Sequence, residues 1–375
     1  MPKIAELIAE KAAKNEEWIS YEYFPPRSEQ GVANLEARFD RMREFAEPLF
    51  VDMTWGAGGS TSTLTLDLTL KLKALGLEPN MHLTCTNVAK EDVVSALEAC
   101  KAADVRNIVA LRGDPPIGQE KWEAIEGGFT CALDLVRFIR AEHGDFFNLS
   151  VAGYPEGHPD VIVEVESVGE LSESEKARCR VTDDGKVFVC RDEQFEAELA
   201  YLKAKVDAGA DVVITQMFFD VGTYAAFVQA CRQTGIMCPV VPGIMLLQAA
   251  AGFKKMTAFC KTRVPPALAA KVEELAGDDA ALKAFGISYG VDMCNQLRAV
   301  NAPGLHFYTL NLEKSTLAII DTLGLSNAAA TNAADEDQKK KYHASTEKNP
   351  GLVTFAALAV LVIAVVFSMR SNVRP

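Results

Sequence analysis

The sequence predicts an α/β protein built as a (β/α)8 (TIM) barrel, followed by a single C-terminal transmembrane helix. Three observations predict it: eight short apolar runs alternate with helical patterns, polar residues gather where the runs end, and one uncharged apolar segment lies near the C-terminus. Buried parallel strands consist of near-continuous Val, Ile and Leu runs, and eight units in about 310 residues fit a closed barrel. An open doubly wound sheet is the alternative on this pattern.

The predicted strands are short, β-rich and apolar, and the predicted helices have apolar residues at three- and four-residue spacing. The strands are Ile19 to Phe24, Phe50 to Thr54, Met81 to Cys85, Asn107 to Leu111, Asn148 to Ala152, Asp211 to Gln216, Pro239 to Gly243 and His306 to Leu310. The helices cover residues 31–46, 60–75, 90–102, 130–142, 194–208, 222–234, 279–300 and 313–323. An N-terminal helix at residues 1–18 therefore precedes a barrel at residues 19–325.

An acidic insertion interrupts the repeat in the fifth βα loop, at residues 161–193. Its strand-like runs are Val161 to Val165 and Lys186 to Cys190. Asp183, Asp184 and Gly185 precede the second run and predict a hairpin turn. A lid, a contact in a homo-oligomer and passive decoration are all compatible with this segment.

The C-terminus predicts a membrane anchor. Residues 326–350 lack periodicity and are interpreted as a flexible linker. A transmembrane tail anchor is predicted at residues 351–368, because its first 17 residues carry no charge and span about 25 Å as a helix. With a basic tail at 369–375, this arrangement predicts a membrane-bound protein whose barrel faces the cytosol.

Composition excludes several function classes. The net charge of -13 argues against nucleic acid as a partner, since phosphate backbones are bound by clustered Lys and Arg. The nine cysteines form no Cys-x-x-Cys pair, and no metal-ligand spacing is present, so no metal site is expected. Hydrolase chemistry has no support either, because no nucleophile elbow is found.

Polar and titratable residues follow the ends of six predicted strands. They are Glu22, then Thr54 and Trp55, then Arg112, Gly113 and Asp114, then Tyr154 and His158, then Gln216, with Tyr308 in the eighth strand. The C-terminal ends of barrel strands open onto one face, which carries the active site. We therefore expect these side chains to converge.

Glu22 is the candidate general acid, because aromatic residues and two prolines follow it. Burial in such a mouth raises the pKa of a carboxyl group toward the working pH. A solvated or ion-paired Glu at a strand end is the alternative. Arg112 and Asp114 flank Gly113, which predicts either a ligand-binding loop or a structural turn with an ion pair.

The chain resembles the methylenetetrahydrofolate reductase family in eight strings that occur in family order. They are EYFPPR, VDMTWGAGG, MHLTCT, NIVALRGDPP, SVAGYPEGHP, KVDAGADVVITQMFFD, VVPGIM and PGLHFYTLN. The resemblance covers the catalytic barrel, residues 19–323 without the insertion. It implies reduction of 5,10-methylenetetrahydrofolate to 5-methyltetrahydrofolate by NADPH or NADH, in a ping-pong reaction through FAD.

The same resemblance implies roles for individual residues. Glu22 would be the acid that opens the folate ring, Asp114 would lie beside flavin and pterin, Gln216 would bind the folate, and Tyr308 would line the pocket. The implied flavin contacts are Thr54, Trp55, His82, Arg112, Gly113, Asp114, Ala132, Tyr154, His158, Glu198, Tyr201 and Lys205. Lys205 also makes independent sense, since a cation offsets the charge of the FAD diphosphate.

Two departures from the family pattern leave alternatives. Leu312 stands where the family usually has Arg, and Cys131 stands where an aromatic residue is usual. Leu312 motivates a membrane-tethered folate- or flavin-binding protein with little turnover. A different flavin barrel, such as a proline-dehydrogenase-like oxidase, is the other alternative, which the EYFPPR and HFYTLN strings disfavour.

Overall fold

A closed parallel barrel forms the body of the protein. The computed structural model describes residues 2–55, 62–86, 88–113 and 126–327. In chain order the strands are β1 (Ile19–Tyr23), β2 (Val51–Met53), β3 (Pro79–Thr84), β4 (Asn107–Leu111), β5 (Asn148–Gly153), β6 (Ile162–Val165), β7 (Arg180–Val181), β8 (Val187–Cys190), β9 (Val212–Thr215), β10 (Val240–Val241), β11 (Gly243–Met245) and β12 (Leu305–Tyr308). The large sheet has the order β10-β9-β5-β4-β3-β2-β1-β12-β11, and all its pairs are parallel.

The helices are amphipathic and most of them follow a barrel strand. They are α1 (Ile4–Lys14), α2 (Glu29–Phe45), α3 (Ser62–Ala74), α4 (Lys90–Ala102), α5 (Ala132–His143), α6 (Glu173–Arg178), α7 (Asp192–Asp207), α8 (Val221–Gln233), α9 (Ala250–Phe259), α10 (Pro266–Glu274), α11 (Asp279–Ala299) and α12 (Lys314–Thr322). Most of them pack their apolar residues against the barrel in one large core cluster.

The barrel closes through a seventh strand that is broken at Pro242. Its first half, β10, pairs with β9, and its second half, β11, pairs with β12. Proline has no N–H and cannot continue the ladder, so the neighbouring groups bond elsewhere. The Gly243 N–H donates to Thr215 Oγ1 at 3.0 Å, and the His306 N–H donates to the Pro242 carbonyl at 3.3 Å. The two ends of the sheet are thereby joined.

Helix α1 covers the N-terminal end of the barrel. Ile4 and Ile8 are buried in a cluster with Trp18 and residues of β9 and β10. The first free N–H groups of this helix are satisfied by the barrel, since Ile4 donates to Asn107 Oδ1 at 2.9 Å and Ala5 to Asn148 Oδ1 at 3.0 Å. This end is closed, so a ligand reaches the barrel from the opposite end.

The barrel part of the predicted fold class is confirmed. Helices α9 and α10 were not predicted, and they form a second core cluster around Met245 and Phe253. In the insertion, β7 and β8 form the hairpin at Asp183 to Gly185, while β6 pairs with the other edge of β8 and α6 lies between β6 and β7.

The transmembrane part of the predicted fold class is corrected. Within residues 2–327, as far as the structure describes them, no helix is both long and apolar enough to cross a bilayer. The predicted linker at 326–350 lies almost entirely, and the anchor at 351–368 and the tail at 369–375 entirely, outside the described residues. The supported fold class is therefore the α/β barrel. The prediction of membrane attachment rested on one apolar run, and such a run does not by itself distinguish a membrane span from a segment buried in a protein core.

Gly243 should tolerate no side chain. A Cβ there would overlap the Thr215 carbonyl oxygen and the Tyr308 ring. We expect Gly243→Ala to lower the free energy of unfolding by about 1–3 kcal/mol, because the added methyl group would overpack the place where β11 passes β9 and β12. Gly277→Ala is the matched control, since a Cβ at Gly277 meets nothing within 4 Å. Urea unfolding measures both variants, and equal stabilities would contradict the close approach.

Candidate active site

A cavity opens at the C-terminal ends of the barrel strands. Its volume is about 340 Å³, and it reaches down to the ends of β1, β2, β3 and β12. The polar side chains that line it are Glu22, Asp52, Thr54, His82, Thr84, Thr86, Tyr154, Gln216 and Tyr308. The predicted convergence of distant strand ends therefore occurs, and we call this space the barrel cavity.

A second cavity of about 340 Å³ lies beside the first, over β4, β5 and α7. The two share Leu111, Ala152 and Tyr154 as lining residues. The polar or titratable residues of this side cavity are Arg112, Thr130, Cys131, Tyr154, His158, Asp160, Glu198, Tyr201 and Lys205. The two cavities are therefore neighbours that share part of their lining.

Glu22 lies at the floor of the barrel cavity, at the end of β1. Its side chain is 22% exposed, and burial raises the pKa of its carboxyl group to about 7. His82 opposes this shift and Asp52 adds to it. The Thr309 hydroxyl donates to the Glu22 carbonyl at 2.6 Å and fixes the backbone there. A carboxyl group that gains and loses its proton near neutral pH is suited to general acid catalysis.

Asp52 is buried beneath Glu22 and contacts two side chains of the neighbouring strand β3. It accepts hydrogen bonds from Asn80 Nδ2 at 2.8 Å and lies 3.1 Å from His82 Nε2. His82 Nε2 is also 3.6 Å from Glu22 Oε2. Burial lowers the pKa of His82, but the Asp52 hydrogen bond and the charges of Asp52 and Glu22 more than offset it, so the pKa is raised.

His306 lies below the cavity on β12 and completes a cluster with Glu22 and Asp52. Its Nδ1 is 2.8 Å from Ser20 Oγ, and its Nε2 is 3.8 Å from Asp52. Burial lowers the pKa of His306 to about 4, so the ring is neutral. Side-chain polar atoms of Glu22, Asp52 and His306 lie within 4.8 Å of one another and form one compact cluster.

Tyr308, beside Glu22 on the adjacent strand β12, and Gln216, after β9, also line the barrel cavity. The Tyr308 hydroxyl donates to the Thr215 carbonyl at 2.5 Å, and burial raises its pKa far above the usual range. Gln216 Oε1 accepts from the Met217 N–H at 2.8 Å. Gln216 therefore presents its amide at the cavity while its oxygen is held by the backbone.

A short strained turn after β12 holds the segment that follows Glu22. Leu310 and Asn311 have φ angles of 50° and 56°, a conformation that costs non-glycine residues energy. Asn311 Nδ2 donates to the Phe24 carbonyl at 2.8 Å, and its Oδ1 accepts from the Phe24 N–H at 3.1 Å. The first and eighth strands are thus clamped together at the cavity rim.

Lys205 is a buried cation in the side cavity. It is 4% exposed, and its Nζ donates to the Ala152 carbonyl at 2.9 Å. Burial lowers its pKa to about 8, although Glu198 opposes the shift. Tyr201 lies beside it, with the Nζ atom 5.0 Å from the ring centre. A desolvated cation with one nearby carboxylate is suited to an anionic ligand.

Arg112, Asp160 and His158 surround the mouth of the side cavity. Arg112 donates to Asp160 Oδ2 at 2.9 Å, and His158 Nδ1 accepts from the Asp160 N–H at 3.1 Å. Burial lowers the pKa of His158 to about 4, so this ring is neutral and polar. The sequence did not single out Asp160, which lies directly before the insertion.

Every predicted site residue that the structure describes lines one of the two cavities. In the barrel cavity these are Glu22, Thr54, Trp55, His82, Gly113, Tyr154, Gln216 and Tyr308; in the side cavity they are Arg112, Ala132, Tyr154, His158, Glu198, Tyr201 and Lys205. Asp114 lies outside the described residues. Sequence reasoning missed Asp52, which stands within a strand whose other residues are apolar and is visible as a charge among them.

Comparison with known proteins gives one consistent family. The model of the family described as "Methylenetetrahydrofolate reductase" matches residues 7–324. A rice protein named "Probable methylenetetrahydrofolate reductase (NADH)" is 46% identical over 324 residues, 86% of this chain and 51% of its own. "Methylenetetrahydrofolate reductase (NADH) 1" of Arabidopsis thaliana is 44% identical over the same lengths. The chain spans about half the length of these relatives.

A bacterial relative and a solved structure match over most of their own length. The "5,10-methylenetetrahydrofolate reductase" of Pectobacterium carotovorum is 33% identical over 310 residues, 82% of this chain and 90% of its own. An uncharacterized Clostridium thermocellum protein, whose structure is described as binding two copies of 5-methyl-5,6,7,8-tetrahydrofolic acid, aligns with a TM-score of 0.54 at 12% identity. It covers 84% of this chain and 99% of its own, which shows the fold alone.

Proposed function

Because this chain belongs to the methylenetetrahydrofolate reductase family, we propose that its barrel reduces 5,10-methylenetetrahydrofolate to 5-methyltetrahydrofolate with NADH or NADPH. The observation that carries the proposal is the Glu22 carboxyl group at the floor of the barrel cavity, with its pKa raised to about 7. An acid of this strength donates a proton at neutral pH without being permanently ionised.

The two cavities fit FAD as the cofactor. They are neighbours, and the flat ring would lie in the barrel cavity and the anionic chain in the side cavity. In the side cavity, Lys205 supplies a buried positive charge and Arg112 a second cation at the mouth. When bound, the flavin supplies hydride transfer between the nicotinamide and the folate. Lys205, Arg112 and Tyr201 would hold its phosphates and sugar, and Thr54, Trp55 and His82 its ring end.

The residues of the barrel cavity have separate tasks on the folate. Glu22 protonates the bridging nitrogen of the folate, which opens the five-membered ring and makes the methylene carbon electrophilic. Gln216 binds the pterin by its amide, and its fixed orientation keeps that contact in place. Tyr308 stays neutral because of its raised pKa and forms a firm wall. The closed opposite end of the barrel excludes water from beneath the acid.

The first test replaces the acid. We expect Glu22→Gln to keep flavin reduction by NAD(P)H but to slow folate reduction by about 10²–10⁴-fold, because only the second half-reaction needs a proton donor. Stopped-flow absorbance of the flavin measures each half-reaction separately. Glu78→Gln is the matched control, since Glu78 has a pKa raised by burial to about 7 but precedes β3 at the closed end. Equal loss of both half-reactions in Glu22→Gln would refute the assigned role.

The second test is the pH dependence of the folate half-reaction. The acid must be protonated, and the raised pKa of Glu22 means that its neutral form is lost as the pH rises through about 7. The rate of flavin reoxidation by the folate should therefore be flat at low pH and fall above about 7. Flavin reduction by NAD(P)H should show no such limb. A folate rate that rises through this range would contradict the proposal.

The third test concerns Lys205 and cofactor binding. Lys205→Met should weaken FAD binding about 10–100-fold, because a charge-assisted contact in a buried site is worth about 1.5–3 kcal/mol. Lys203→Met is the matched control on the same helix, where Lys203 pairs with Asp207 at the surface. Fluorescence titration of apoprotein with FAD measures both. A colourless protein that FAD cannot reconstitute would end the proposal altogether.

A further inference from the structure

One imidazole nitrogen in the barrel cavity contacts two carboxyl groups. His82 Nε2 lies 3.1 Å from Asp52 Oδ2, which is hydrogen-bond distance, and 3.6 Å from Glu22 Oε2, which is ion-pair distance. A single N–H donates well to only one acceptor, and here the nearer acceptor is Asp52. Glu22 therefore faces the charge of the ring without taking its hydrogen bond.

Asp52 is built to keep that ring charged. It is 1% exposed on β2, and Asn80 Nδ2 fixes its other oxygen at 2.8 Å. A carboxylate held beside an imidazole favours the protonated ring, because the pair neutralises both charges in a medium of low dielectric constant. His306, on the other side of Asp52, is neutral and supplies no competing cation.

Among the described residues, the ionisable groups around Glu22 come from three neighbouring strands. Asp52 lies on β2, His82 on β3, and His306 and Tyr308 on β12. Tyr308 and His306 are neutral near pH 7, so the charges that act on Glu22 are those of Asp52 and His82. These two oppose each other, and the effect of His82 on the Glu22 pKa is the larger.

We propose that Asp52 and His82 form a positioning pair, in which Asp52 holds His82 as a cation against the Glu22 carboxyl group and so sets how readily Glu22 releases its proton. The inference deepens the proposed function, on which the catalytic meaning of Glu22 rests. The charge arrangement itself exists in the protein without substrate and is measurable there. Asp52 is 1% exposed and acts through His82.

The proposed pair predicts in which direction the Glu22 pKa moves when Asp52 is replaced, which a merely structural role would not. Asp52→Asn removes a repulsion, which by itself would lower the Glu22 pKa. The same change reverses the direction of the hydrogen bond between residue 52 and His82, because an amide can donate to Nε2 and so stabilise the neutral ring. Loss of the ring's charge raises the Glu22 pKa, and this effect is the larger. Asp52→Asn should therefore raise the Glu22 pKa when His82 is present and lower it when His82 is absent.

Infrared titration of the protonated carboxyl band tests this in the purified full chain with its bound cofactor. The Glu22 band is isolated by subtracting the Glu22→Gln spectrum, which is necessary because burial also raises the pKa of Glu78 and Glu156. We expect His82→Gln to raise the Glu22 midpoint by about one pH unit or more, since an opposite charge at this distance shifts a pKa by about 1–3 units. Asp52→Asn should raise it less, and the double variant should fall below His82→Gln.

The control variant is Glu156→Gln, which removes another buried carboxyl group and should leave the Glu22 midpoint unchanged. An unmoved midpoint in His82→Gln, or a lowered one in Asp52→Asn alone, would overturn the positioning pair. Asp52→Ser, also neutral, replaces Asp52→Asn if that variant does not fold. The alkaline limb of the folate half-reaction should move with the midpoint. A wild-type protein without folate reduction would refute the proposed function, while the infrared titration would still decide the inference.

Discussion

Closure of the barrel at Pro242 is the constraint on which the site depends. The seventh strand pairs with β9 before the proline and with β12 after it, and the displaced donor of Gly243 is taken up by Thr215. The seam joins β9, which Gln216 follows, to β12, which in turn pairs with β1 so that Tyr308 is in register with Glu22. An open sheet would leave β9 and β12 apart, and Gln216 would no longer face the cavity that holds Glu22 and Tyr308. The close approach of Gly243 to Tyr308 ties the seam directly to the cavity.

Charge in the barrel is organised by depth. The closed end is apolar or amide-lined, with α1 bound to Asn107 and Asn148. Above it lies the buried Asp52, bonded to Asn80 and His82, and above that the partly exposed Glu22. Desolvation raises the pKa of Glu22, and the charge of the neighbouring His82 limits the shift, so that the pKa is about 7. In the side cavity the buried group is a cation, Lys205, and burial lowers its pKa.

The insertion is joined to the same rim. Asp160, directly before it, binds Arg112 at the mouth of the side cavity, and Lys261 donates to the carbonyls of Pro159 and Ile162 at 2.7 Å and 2.8 Å. Glu156, just before it, accepts from the Arg263 N–H at 2.6 Å. Hydrogen bonds therefore join the loop after β5 to the connection between α9 and α10, beside the two cavities. Leu312 lies in the turn after β12, with its N–H donating to the Thr309 carbonyl at 2.8 Å.

The sequence by itself determined the repeat of strand and helix, because burial of parallel strands forces continuous apolar runs and burial of one helix face forces a period near 3.6. It also located the strand-end residues Glu22, Gln216 and Tyr308, and Lys205 on a helix. Only the tertiary structure decided that Asp52 and His306 lie beneath Glu22, that the seventh strand breaks to close the sheet, and that α9 and α10 cover the rim. Such facts depend on which strands become neighbours, and one-dimensional periodicity carries no information about distance between strands that are separated along the chain.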